Sequence, residues 1–244
     1  MNLSMKPRSG GRSFNELRPF QITLDPMGFA LSSLIIRTGL TSVLCSVCLR
    51  AGVPSWRAGS GKGWLSAEYR LLPASTPSRQ ERELLKLSGR TQEIQRLIGR
   101  SLRSVIDMSA LGEQTLLIDC DVIQADAGTR TASITGSWIA LKLACSRLLN
   151  KGQLMDDPIK GQVAAVSVGL IDGKPLLDLD YSEDSIADVD LNVVMDAKCQ
   201  LLELQGTAEG KPFSCDQLNN LLEIAQPGIE TLFAAQLSVL SEKG

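Results

Sequence analysis

Apolar residues along this chain follow two spacings that predict different elements. From residue 20 to 68, short β-branched and apolar runs are separated by glycines and prolines, a pattern typical of strands joined by hairpins. Spacings of three and four predict a helix over residues 90–108, a second helix after a break at 125–128, and a third that opens at Ser214. The remaining predicted strands are 115–123, 163–171, 176–181, 189–195 and 201–206.

The order of these elements is β-rich, α, β, α, β-rich, α, which predicts an α+β fold of mixed sheet layers with helices. We expect a single domain over residues 18–240, preceded by a polar, flexible lead-in at residues 1–17. Ser88 is the expected N-cap of the first helix. Ser214, with Gln217 three residues later, forms a capping-box pattern at the start of the last helix.

Composition predicts a cytoplasmic globular protein. Of the 244 residues, 43% are hydrophobic and 21% are charged, which is ordinary for a soluble folded chain. The most apolar stretch, residues 29–49, contains Arg37 and several hydroxyl residues, so we expect no membrane span, and residues 1–12 lack a signal-peptide core. In the cytoplasm the six cysteines are expected to be reduced thiols.

The chain contains no histidine, which excludes relays of the Ser-His-Asp or Cys-His type. Chemistry must therefore depend on carboxylates, arginines, a metal or backbone dipoles. The net charge of −2 conceals an asymmetry, because residues 79–103 carry seven basic and three acidic side chains, whereas residues 176–209 carry nine acidic side chains and one lysine. We expect the basic and the acidic region to face each other across one site.

The turn from Asp126 to Thr131 enters a helix and includes Gly128 and Arg130. Free N–H groups at a helix start attract an anion, glycine permits close approach, and arginine can chelate phosphate oxygens. An ordinary helix start with a surface arginine is the alternative. Arg90 lies at the head of the preceding helix, where it would face the same anion if the two helices converge.

Two other clusters of charge have a functional and a structural interpretation. Asp188 and Asp190 share strand parity and follow Asp184, so two or three of these carboxylates could hold Mg²⁺ or Mn²⁺, or they could be ordinary turn residues. Three arginines lie on one face of the first helix, where a solvated face or a subunit contact is favoured over RNA binding. They are Arg96, Arg100 and Arg103.

Several longer runs together resemble bacterial ribonuclease PH and occur in the order of that family. They include Leu-Arg-Pro-Phe at 17–20, Gly-Lys-Gly-Trp-Leu-Ser-Ala-Glu-Tyr at 61–69, Ser-Gly-Arg-Thr-Gln-Glu-Ile-Gln-Arg-Leu-Ile-Gly-Arg at 88–100, Asp-Cys-Asp-Val-Ile-Gln-Ala-Asp at 119–126, Gly-Thr-Arg-Thr-Ala-Ser-Ile-Thr-Gly at 128–136 and Gln-Gly-Thr-Ala-Glu-Gly at 205–210. The resemblance implies the ribonuclease PH fold, which is similar to ribosomal protein S5 domain 2, and assembly as a homohexamer, a trimer of dimers.

The resemblance also implies a function and its residues. It implies trimming of tRNA precursors and other RNAs from the 3′ end by inorganic phosphate, with nucleoside diphosphates as products and nucleotide addition as the reverse reaction. It assigns catalysis and metal binding, Mg²⁺ or Mn²⁺, to Asp184 and Asp190. The residues that it assigns to phosphate binding are Arg90, Gly128, Thr129, Arg130 and Thr131.

The segment after Pro73 departs from the pattern of the family. Relatives are arginine-dense there, whereas Ala74 and Glu81 replace family arginines and leave Arg79 and Arg82 as the expected RNA contacts. With fewer basic side chains in this segment, the affinity for RNA should be lower, and it should fall less steeply as the salt concentration rises. Two alternatives to the phosphorolytic enzyme remain, a catalytically idle ring-forming RNA-binding subunit and a hydrolytic metal-dependent nuclease.

Overall fold

The computed structural model describes residues 8–84 and 86–241, and within them two β-sheets account for the strands. The first sheet has the order β1-β2-β3-β5-β4, in which β4 and β5 are parallel and the other pairs antiparallel. Alternation of more and less buried positions is clearest in the strands β1 and β5, each of which turns one face toward the core. The strands are β1 (Phe20–Leu24), β2 (Ser32–Thr38), β3 (Thr41–Ala51), β4 (Trp64–Leu71) and β5 (Gln114–Gln124).

The second sheet is antiparallel and has the order β7-β6-β8-β9. Every residue of its central strand β6 is buried, because helices cover both faces of the sheet. The uninterrupted apolar run of β6 is the sequence signature of such a strand. The strands are β6 (Val163–Ile171), β7 (Lys174–Leu177), β8 (Val189–Asp196) and β9 (Leu201–Ala208).

Five α-helices complete the described fold, and the longest internal one lies between the two sheets. They are α1 (Gly89–Arg103), α2 (Met108–Leu111), α3 (Thr129–Asn150), α4 (Tyr181–Asp184) and α5 (Cys215–Ser241). Sixteen of the 22 residues of α3 are buried, because α3 packs on β2 and β3 on one side and on β6 on the other. Gly136 permits this packing, since a Cβ there would lie 2.8 Å from Ile36 Cγ2. The second core lies between the other face of β6 and α5.

The structure confirms the predicted α+β class and the predicted caps. Ser88 Oγ accepts the Thr91 amide at the start of α1, and Ser214 and Gln217 exchange the two bonds of a capping box before α5. Two predicted boundaries are wrong. The first helix ends at Arg103 instead of 108, and the strand predicted over 176–181 ends at Leu177 because Asp178 takes a left-handed conformation with φ 52°.

The described part of the predicted lead-in packs against the second sheet. Arg8 is buried, and Arg12 lies beside it within reach of Asp180 and Glu183. The boundary at residue 17 stays a prediction, and residues 1–7 lie outside the described residues. No helix in the described ranges is long and apolar enough to cross a membrane.

Two of the three arginines on the exposed face of α1 have partners within the chain. Arg100 forms an ion pair with Glu203 at 2.7 Å, and the Arg103 guanidinium lies 4.7 Å from the ring centre of Trp64. These contacts tie α1 to both sheets.

Candidate active site

A cleft of about 1000 Å³ collects residues from both sheets and from three helix termini. Its walls include the starts of α1 and α3, the short helix α4, and the middle of β6 and β8. The segment between β4 and α1 forms a further wall through residues 74–78 and Gln80. The basic and the acidic regions of the sequence therefore meet here.

The start of α3 is built to receive an anion. Ala127 and Gly128 are both left-handed, with φ 57° and 64°, and no side chain caps the amides of the first turn. A Cβ at Gly128 would lie 2.6 Å from Arg18 Nη2, so glycine is required there. Arg18 also holds the turn, because its Nη1 donates to the Asp126 carbonyl at 2.6 Å. Uncapped amides and the positive end of a long helix favour a phosphate at this point.

Two threonines of this turn are used internally. Thr131 Oγ1 donates to the Gly128 carbonyl at 2.9 Å, and Thr129 Oγ1 lies 2.8 Å from the hydroxyl of Tyr69. Both threonine side chains are buried and shape the turn. The backbone amides of these two residues remain at the start of α3. Thr131 itself does not line the cleft.

Arg130 lines the cleft in a fixed orientation. Its Nη1 donates to Gln205 Oε1 at 2.8 Å, and its Nη2 lies 3.7 Å from Glu93 Oε2. Gln205 in turn donates to Glu93 at 2.7 Å, so α1, α3 and β9 hold one guanidinium between them. Arg90, the second residue of α1, also lines the cleft, so the two helix starts converge, which was the condition that the sequence left open.

Asp184 and Asp190 approach the cleft from α4 and β8, respectively. Burial raises the pKa of Asp190 to about 6, and the neighbouring Asp184 carboxylate adds to this rise. Burial also raises the pKa of Asp184, whereas the positive charges of Arg90 and Arg130 act in the opposite direction. The two carboxylates therefore share one electrostatic environment with the two arginines.

These carboxylates fit a divalent cation that keeps most of its ligands from water or phosphate. Asp190 Oδ1 is buried and has no hydrogen-bond partner among the described residues, and a cation would satisfy it. The described residues contain no cluster of three or more acidic, cysteine or histidine side chains that could enclose a metal. Mg²⁺ is commonly held by one or two carboxylates together with substrate phosphates.

The third candidate carboxylate lies outside the cleft. Asp188 is exposed, and its Oδ2 accepts the amide of Asp172 at 3.1 Å in the turn between β6 and β7. Shared strand parity with Asp190 was not sufficient, because Asp188 precedes the first residue of β8. The structure thus brings together two of the three predicted carboxylates.

The expected RNA contacts Arg79 and Arg82 are exposed, and neither lines the cleft. Their segment contributes its neighbours instead, namely Ala74 to Ser78 and Gln80. An RNA-binding role for the two arginines stays a prediction.

Comparison with known proteins decides the family. The model of the 3′ exoribonuclease family matches its domain 1 at residues 16–146 and its domain 2 at residues 161–228. Ribonuclease PH of Prochlorococcus marinus (strain MIT 9313) is 72% identical over 243 residues, which is 100% of both chains. Ribonuclease PH of Synechococcus sp. (strain CC9605) is 67% identical over 242 residues, 99% of this chain and 98% of that one. The chain belongs to the 3′ exoribonuclease family.

Solved structures show the same fold at low identity. The Archaeoglobus fulgidus exosome with RNA bound to the active site superposes with a TM-score of 0.79 at 20% identity, covering 92% of this chain and 91% of that chain. An archaeal exosome core gives a TM-score of 0.77 at 20% identity and covers 94% and 90%. The fold is therefore the ribonuclease PH fold that the sequence predicted.

Sequence reasoning missed several residues of this 3′ exoribonuclease cleft. Asn192 is buried and lines the cleft beside Asp190. Ser167 on β6 and Tyr69 on β4 are also buried and also line the cleft. Asn192 had a readable signal, because it follows Asp190 by two positions in a strand and so shares its face. Ser167 and Tyr69 had none, since long-range strand order brings them to the cleft.

Proposed function

We propose that this chain removes nucleotides from the 3′ ends of tRNA precursors and other RNAs by phosphorolysis and releases nucleoside diphosphates. One observation carries the proposal: two arginine-bearing helix starts converge on a cleft that also holds a pair of partly buried carboxylates. A site for a phosphate nucleophile beside a site for a divalent cation is what phosphorolysis of a phosphodiester requires. The reverse reaction adds nucleotides to an RNA 3′ end.

Inorganic phosphate binds at the start of α3 in this proposal. The amides of Gly128, Thr129, Arg130 and Thr131 and the guanidinium groups of Arg90 and Arg130 offset its charge. Held there, a phosphate oxygen attacks the last phosphodiester phosphorus. The bond between this phosphorus and the 3′ oxygen of the penultimate nucleotide breaks. That oxygen takes up a proton and becomes the new 3′ end, and the terminal nucleotide leaves as a nucleoside diphosphate.

Asp184 and Asp190 would hold the cation, Mg²⁺ or Mn²⁺. When bound, this ion supplies positive charge next to the reacting phosphate oxygens. The protein's own contribution is to place the two carboxylates close to Arg90 and Arg130, whose positive charges oppose the rise in the carboxyl pKa values and orient the incoming phosphate.

RNA approaches past the segment that carries Arg79 and Arg82, which are exposed and free to follow a phosphate backbone. We also propose that the chain assembles as a homohexamer, a trimer of dimers. This proposal is supported by the solved structures that share the fold, two of which are exosome assemblies. Sedimentation velocity of the purified protein tests the stoichiometry.

The relatives' name and the intact site residues favour an enzyme over an idle RNA-binding subunit. A hydrolytic nuclease would activate water and would have no use for an anion site at two helix starts. The three functions differ in what they release from RNA. A phosphorolytic enzyme releases nucleoside diphosphates, a hydrolytic nuclease releases nucleoside monophosphates, and an idle subunit releases nothing.

Incubation of the purified protein with a 3′-extended tRNA and Mg²⁺, with and without inorganic phosphate, tests the proposal. We expect nucleoside diphosphates only when phosphate is present. Arg130→Ala should reduce the rate at least a hundredfold, since one preorganised charged donor contributes about that much or more. Arg50→Ala is the matched control, because Arg50 is exposed near the end of β3 remote from the cleft. Release of monophosphates without phosphate would contradict the proposal.

A further inference from the structure

One exposed aromatic ring lines the cleft. Tyr69 and Tyr181 are the aromatic residues among its described walls, and they differ in availability. Tyr69 is 1% exposed and its hydroxyl is engaged with Thr129, whereas Tyr181 is 60% exposed. An exposed aromatic ring in the wall of the cleft leaves its face open to a ligand, because no protein side chain covers it.

Tyr181 is held in place by its backbone. Its amide donates to Asp126 Oδ1 at 3.2 Å, which links α4 to the turn before α3. Tyr181 is the first residue of α4, and a capping box between Asp180 and Glu183 stabilises the start of this helix. Arg8 fixes Glu183 in turn, with Nε and Nη2 donating to its two carboxylate oxygens at 2.7 and 3.0 Å. The ring therefore projects from a rigid support.

Tyr181 and Asp184 are the first and last residues of α4, three positions apart. Residues with this spacing are neighbours on one helical face, and both line the cleft. A nucleotide whose phosphate lies at Asp184 and Asp190 thus has its sugar and base within reach of the Tyr181 ring.

An exonuclease meets each of the four bases in turn, so its base contact must tolerate all of them. Stacking on an aromatic face meets this requirement, because every base has a π-face. We propose that Tyr181 is the stacking platform for the base of the 3′-terminal nucleotide of RNA. This assignment rests on the proposed function and adds a base-binding subsite to it.

Steady-state kinetics of Tyr181→Ala, Tyr181→Phe and Tyr181→Leu with RNA and phosphate test the subsite. We expect Tyr181→Ala to raise KM for RNA about tenfold, because an alanine at this position removes the aromatic face on which the base stacks. Tyr181→Phe keeps the ring and should match the wild type, with Tyr181→Leu between them. KM for phosphate should not change, because the anion site lies on α1 and α3. Phe29→Ala is the control, because Phe29 is a fully exposed ring outside the cleft.

A second measurement reports stacking without turnover. RNA ending in 2-aminopurine should lose fluorescence on binding to the wild type and Tyr181→Phe, and much less on binding to Tyr181→Ala, in the absence of phosphate. If the wild type releases diphosphates while Tyr181→Ala keeps its KM and its quenching, the stacking subsite is wrong and the proposed function stands. If the wild type releases none, the proposed function itself fails.

Discussion

Arg8 Nε donates to Glu183 Oε1 at 2.7 Å and so joins residues that are 175 positions apart in the sequence. Both side chains are buried, and Arg8 Nη2 also donates to the Leu177 carbonyl at 2.7 Å. The pair fixes α4, the helix in which Asp184 directly follows Glu183. Removing one member of such a pair leaves an uncompensated buried charge.

Arg8→Ala should therefore lower both stability and turnover. Breaking a buried ion pair costs about 3–5 kcal/mol, although Arg12, 3.4 Å from Glu183, offsets part of this loss. We expect a lower thermal midpoint and a lower kcat at unchanged KM for phosphate. The double variant Arg8→Met with Glu183→Met should regain stability relative to Arg8→Ala, because no buried charge is left unpaired. An Arg8→Ala protein with wild-type melting and turnover would contradict the assignment.

Asp190→Asn should stabilise the metal-free protein while it abolishes phosphorolysis. The pKa of Asp190 is about 6, above its ordinary 3.8, so the native state binds more protons than the unfolded state between these values. The free energy of unfolding then falls as pH rises through this window, by about 3 kcal/mol at most. Asp190→Asn removes this fall.

Thermal unfolding at pH 4, 5 and 7.5 without divalent cations measures the effect. Adding Mg²⁺ at pH 7.5 should stabilise the wild type and not Asp190→Asn, because a ligand stabilises only the state that binds it. Asp188→Asn is the control, since this exposed carboxylate lies outside the cleft. Equal pH profiles for wild type and Asp190→Asn would refute the prediction.

Gln205→Leu should weaken phosphate binding through Arg130. The substitution removes the 2.8 Å bond that orients the guanidinium and the 2.7 Å bond from Gln205 to Glu93. We expect KM for phosphate to rise about tenfold, since a hydrogen bond to a charged group contributes about 1.5–3 kcal/mol. Gln200→Leu, at an exposed position in the β8–β9 turn, should leave it unchanged. A larger change in KM for RNA than for phosphate would argue against this role.

Thiol labelling near pH 8 should modify Cys215 first. Cys215 is exposed, whereas Cys45, Cys120 and Cys145 are buried. Burial raises the pKa of Cys145 to about 12, so almost none of it is thiolate at pH 8. Mass spectrometry of the native protein should find Cys215 labelled before the partly buried Cys48 and Cys199, and Cys215→Ser should remove this earliest label. Rapid labelling of Cys145 would mean that the core between α3 and the sheets opens readily.

The sequence predicted the individual helices and strands better than the way in which they pack together. Local spacing found the three long helices and nearly all strands, because periodicity reports burial directly, but it missed the four-residue helices α2 and α4. It placed the end of the strand after β6 wrongly, because Asp178 adopts a left-handed conformation that few non-glycine residues take.

The candidate site was found by a different route. Arg90, Arg130, Asp184 and Asp190 were named from helix starts and from family motifs, and all four line the cleft. Their convergence depends on α3 packing between two sheets, which no local pattern encodes. Tyr181 was read as the end of a strand, so its role as an exposed ring on α4 had no signal in the sequence.

The cleft also divides its chemistry between two stretches of chain. Gly128 and Arg130 lie in the segment that matches domain 1 of the family, and Asp184 and Asp190 in the segment that matches domain 2. A break in the connection between α3 and β6 would leave Gly128 and Arg130 on one fragment and Asp184 and Asp190 on the other, and the packing of α3 on β6 would have to rejoin them. Neither fragment alone would cut RNA, and nucleotide release would report their reunion, which makes this connection a natural point for a split reporter.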